Sequence, residues 1–92
     1  MDAQEAIKSA KIYIEELFRS DGAINIGLEE LQFDDARSLW LVTIGFTRKW
    51  EGPQGHARWG LDGEPFPRTF KTVEIENSTG KILGVRHWPV AA

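Results

Sequence analysis

Cysteine is absent from the 92 residues, and methionine occurs once. Without a thiol there is no disulfide scaffold, no thiolate nucleophile and no Cys-liganded zinc or iron–sulfur centre, a composition that fits a reducing compartment. Long apolar runs are also missing: nothing approaches the ~18 consecutive apolar residues that span a bilayer. The chain opens Met1-Asp2-Ala3-Gln4-Glu5, acidic where a secretory leader is basic, so the expectation is a cytoplasmic protein without a membrane partner. Basic charge is in deficit, with 11 Lys and Arg against 14 Asp and Glu. Phosphate-driven affinity grows with the number of cations engaged, so this balance argues against nucleic acid.

What is present is a folded composition. Hydrophobic residues make up 41% and charged residues 27%, which suits one small α+β domain over residues 1–92 rather than a disordered chain or coiled coil. From residue 2 to 20, Ala3, Ile7, Ala10, Ile14 and Leu17 recur at steps of four and three, the spacing of one helix face. Asp2 and Glu5 form a capping-box pair at its start, and Ser20-Asp21-Gly22 supplies the stop. Ile12 falls opposite the stripe, among Lys8, Glu15, Glu16 and Arg19. A single exposed isoleucine is ordinary on a surface, and a partner-facing role is the alternative.

Beyond Gly22 the period drops to two. Ile24, Ile26 and Leu28 alternate, Glu29-Glu30 interrupts, and Leu31 and Phe33 resume out of phase, predicting a bulge or a late strand start near Gly27 to Glu30. Residues 34–38 read as a turn. Trp40, Val42, Ile44 and Phe46 then share one face of a strand whose early residues are apolar on both faces, as in a central strand. Residues 68–76 form a third strand, with Val73 and Ile75 inward and Thr72, Glu74 and Glu76 toward water. Asn77-Ser78-Thr79-Gly80 makes a hairpin turn with Gly80 at positive φ, and Lys81–Trp88 returns as the fourth strand. One N-terminal helix packed on a four-stranded antiparallel sheet follows, in the order helix, strand, strand, long loop, strand, strand. Ile14, Leu17, Trp40, Val42, Ile44, Val73 and Ile75 are its expected core.

Residues 49–67 hold four of the nine Gly and three of the four Pro. So long a loop in so small a domain is read as functional. Five bases and three acids fall in residues 48–71, against nine acids and four bases in residues 1–47. Cations and aromatic rings therefore interleave in one region. Trp50, His56, Arg58 and Trp59 are the candidate partner-binding residues, because Trp and Arg dominate binding energy at interfaces. The competing reading is that Trp50 and Trp59 fold back onto the sheet and pin the loop.

The leading helix, the strand Leu39-Trp40-Leu41-Val42-Thr43-Ile44 and the ending Val73-Glu74-Ile75-Glu76-Asn77-Ser78-Thr79-Gly80-Lys81-Ile82 resemble the small PepSY-like and cystatin-like α+β domains. In these a helix packs on an antiparallel sheet, and the last hairpin reads roughly Val-x-Val-(Asp/Asn)-x-x-Thr-Gly-Lys-(Ile/Val). The resemblance covers the chain outside the long loop and implies the architecture. PepSY-like domains are extracytoplasmic and associated with restraining peptidases, and the cystatin inhibitory loop Gln-x-Val-x-Gly has no counterpart here, since Gln54-Gly55 lacks the valine.

Catalytic chemistry finds little to use. The two histidines, His56 and His87, show no metal-ligand spacing with Asp34, Asp35 or Asp62, and no serine stands in a Gly-x-Ser-x-Gly setting. Asp34-Asp35 and Glu29-Glu30 are neighbours whose side chains diverge on a strand, so neither is a shared-proton dyad. No catalytic residue, metal site or cofactor is assigned. The expected function is a non-enzymatic binding or regulatory domain acting on another protein, in the manner of immunity or inhibitor proteins. A small-ligand or enzymatic pocket between sheet and loop, using His56, Arg58 and His87, is the alternative, and a structural homodimer is a further one.

Overall fold

Asp2 and Glu5 start the helix reciprocally. Glu5 N–H donates to Asp2 Oδ1 at 2.8 Å, and Asp2 N–H donates to Glu5 Oε1 at 2.8 Å. Two backbone donors that no helical carbonyl could satisfy are thereby used. In the computed structural model, which describes residues 1–48 and 68–88, helix α1 then runs Ala3–Leu17 and tightens into a 3-10 turn, Arg19–Asp21. Gly22 ends it at φ 72°, a left-handed conformation that costs a residue with a β-carbon about 1–2 kcal/mol.

Four antiparallel strands follow: β1 Ala23–Asp34, β2 Leu39–Arg48, β3 Thr69–Glu76 and β4 Ile82–His87, hydrogen-bonded in the order β1-β2-β3-β4. The fold is α+β, as the sequence predicts, and β2 is a central strand. Register in the β1–β2 pair slips between Ile24 and Gly27 and again between Leu28 and Glu30, so the second irregularity lies where the hydrophobic phase changes. The first had a quieter signal in Asn25, which takes φ 56°, because asparagine tolerates the left-handed region better than most residues. At the β1–β2 turn, Asp34 accepts from the backbone N–H of Arg37 at 3.1 Å and from its Nε at 2.9 Å. Gly80 closes the β3–β4 hairpin at φ 76°, as expected.

The core lies between α1 and the inner sheet face. Ala6, Ala10 and Ile14 from the helix meet Val42, Ile44, Phe46, Val73 and Ile75, all fully buried. Two expectations are corrected. Leu17 is 49% exposed, because the helix ends there and Phe18 takes the place against Phe46, ring centroids 4.9 Å apart. Thr72 does not meet water: it is 2% exposed, and its hydroxyl bonds that of Thr43 at 2.9 Å. Trp40 is half-buried, its indole N–H donated to Asn77 Oδ1 at 2.9 Å.

Candidate interaction surfaces

Trp50, His56, Arg58 and Trp59 lie outside the described residues. Of the cations around that loop, the structure places Arg48, Arg68 and Lys71, and it places His87 beside Lys71. Arg48 ends β2 with its guanidinium 5.0 Å from the Phe18 ring centroid and 5.7 Å from that of Phe46. Lys71 Nζ is 6.0 Å from the same Phe18 ring and 3.3 Å from His87 Nδ1. His87, the described member of the alternative pocket, is exposed on β4. Among the described residues, no group of three His, Cys, Asp or Glu side chains could hold a metal ion, and no helix is long and apolar enough to cross a membrane.

The outer sheet face is strapped from edge to edge. Trp88, just past β4, donates its indole N–H to Glu30 Oε1 on β1 at 3.1 Å, and its ring lies 5.4 Å from that of Phe70 on β3. Two side chains thus reach across the two central strands above the buried Thr43–Thr72 pair. Nearer the loop, Arg68 Nη2 donates to Asn25 O at 2.9 Å and to Glu29 Oε2 at 3.4 Å. This second crossing needs a bare backbone beneath it. A β-carbon at Gly45 would come within 2.8 Å of Glu29 Oε2 and 3.0 Å of Arg68 Nη2. Both crossings hold the fold, and the charged groups they use are committed to it.

Among the described residues, the inner face is covered on one side only. A helix is about 10 Å across and strands are spaced about 4.8 Å, so one helix roofs roughly two strands. Here α1 lies over β1 and β2 and reaches β3 at its margin. β4 lies beyond it, and its inward residues Ile82 and Val85 pack on the core while only half-buried. The step between helix flank and strand is an open groove of about 540 Å³, bordered by Glu5, Lys8, Ile12, Tyr13, Glu16 and Ile82. Ile12 is 47% exposed at its rim. Sequence reasoning singled out Ile12 but not the groove, because the width of sheet left uncovered depends on where the helix settles.

The hydrogen bond from the Arg37 side chain, then that from its backbone, holds the Asp34 carboxyl below its ordinary value. It lies in the β1–β2 turn, away from the groove, and stabilises that turn. Comparison of the chain with protein-family models, curated proteins and solved structures finds no significant match.

Proposed function

We propose that this is a non-enzymatic binding domain that acts through a protein–protein surface, with the groove between α1 and β4 as that surface. The observation that carries the reading is the part of the inner sheet face that the described residues leave uncovered. Ile82, packed against the core, forms an apolar floor, Ile12 and Tyr13 form the wall, and charges border it. Extending an existing core across a partner is favourable at roughly 25 cal/mol per Å² of apolar surface removed from water. The groove is open and lined from one continuous helix flank, a form that suits an elongated protein element better than a small enclosed ligand. An immunity-like or inhibitor-like role, and the PepSY-like or cystatin-like resemblance of the last hairpin, are compatible with a compact scaffold that presents such a surface.

The reading is tested by placing a photo-crosslinking phenylalanine analogue at position 12 of the intact chain, with Asp35 in the distant turn as the control position. A discrete protein adduct from position 12 and none from position 35 is expected. No adduct from position 12 would contradict the reading.

A further inference from the structure

Along the exposed side of α1, Glu5, Lys8, Ile12 and Glu16 recur at steps of three, four and four. Lys8, Glu16 and Arg19 make no ion pair among the described residues, whereas the arginines of the strands and of the β1–β2 turn are paired: Arg37 with Asp34, Arg48 with Asp21, Arg68 with Glu29 and Arg86 with Glu74. Lys8 and Glu16 cannot pair with each other within one helix, since eight residues rise about 12 Å. Their order is nevertheless symmetric in a particular way. About Ile12, Lys8 and Glu16 are equally distant with opposite charge.

We infer that the occupant of this surface is a second copy of the chain, with the two α1 helices antiparallel and Ile12 on the two-fold axis. In that arrangement Lys8 of each copy faces Glu16 of the other. Two ion pairs form, and neither of these residues meets a like charge. Isologous interfaces require this kind of self-complementarity, and a partner of single-sign charge would find half of the stripe repulsive. Ile12 of each copy then sits against the other at the groove rim, covering the isoleucine that the single chain leaves in water. The inference rests on the reading of the α1/β4 groove as a protein-binding surface and names its partner.

Sedimentation velocity on the full chain and two charge-reversed variants tests it. Lys8→Glu places glutamate opposite Glu16 twice in the symmetric pair, and Glu16→Lys places lysine opposite Lys8 twice. Each variant alone is expected to dimerise about tenfold or more weakly than wild type. Mixed in equal amounts, the two restore every opposite-sign contact in the heterodimer and are expected to recover the dimer. Both substitutions are at exposed positions, and unchanged circular dichroism checks the fold. A wild-type chain that stays monomeric, or a mixture that dimerises no better than its components, overturns the second copy. If position 12 still captures a different protein, the binding surface stands and only the inference falls; monomer without capture removes both.

Discussion

At the scale of single residues, burial separates positions that the sequence pattern treats alike. Ile14 and Leu17 belong to one helical stripe, yet Ile14 is fully buried and Leu17 is 49% exposed. Ile14→Ala is expected to cost about 2–4 kcal/mol, through lost transfer energy and a residual cavity, whereas Leu17→Ala should cost under about 1 kcal/mol. Urea midpoints of the two variants check the contrast. Gly80→Val should cost at least about 1–2 kcal/mol, because the left-handed turn disfavours a β-carbon and the Met1 Cε atom stands 3.3 Å from where it would be. Asp34 gives a pH prediction. Its folded carboxyl is held below the ordinary value by Arg37, so its contribution is present above that value and is lost as pH falls through the lowered one. Stability measured against pH should lose that acid-side slope in Asp34→Asn.

At the scale of elements, the helix, the strands and their turns were legible because each has a local cause: the Asp2/Glu5 box, the alternation from Trp40 to Phe46, and glycine at 22 and 80. The change of phase at Glu29-Glu30 marked the place of the second register slip, which a bulge or a late strand start would both have explained. The outer face was not legible, since Thr72, Glu74 and Glu76 alternate as a water-facing set would. Only pairing across β2 and β3 shows that Thr72 and Thr43 satisfy each other out of solvent, at 2% and 3% exposure. That pair makes a cycle worth measuring. Thr43→Val alone leaves the Thr72 hydroxyl buried without its partner and should cost about 1–3 kcal/mol. Adding Thr72→Val should recover most of it, and additive losses in thermal unfolding would show that the hydroxyl pair is not the coupling. The strap from Trp88 to Glu30 was equally hidden, because 58 residues separate the two in the chain.

At the scale of the whole molecule, the candidate site divides differently. Trp50, His56, Arg58 and Trp59, named from composition, lie outside the described residues, while the surface that geometry favours was signalled by Ile12 alone. Among the described residues, one helix over four strands leaves the β4 side of the inner face open, and no pattern within a helix reports how much sheet it covers. The most direct measurement of this account is hydroxyl-radical footprinting of the full chain in dilute and in concentrated solution. Ile12 and Tyr13 are expected to lose reactivity as concentration rises, while Phe33 and Leu83, which are exposed away from the groove, keep theirs. Unchanged reactivity at Ile12 and Tyr13, or protection that appears at Phe33 and Leu83 instead, would contradict it.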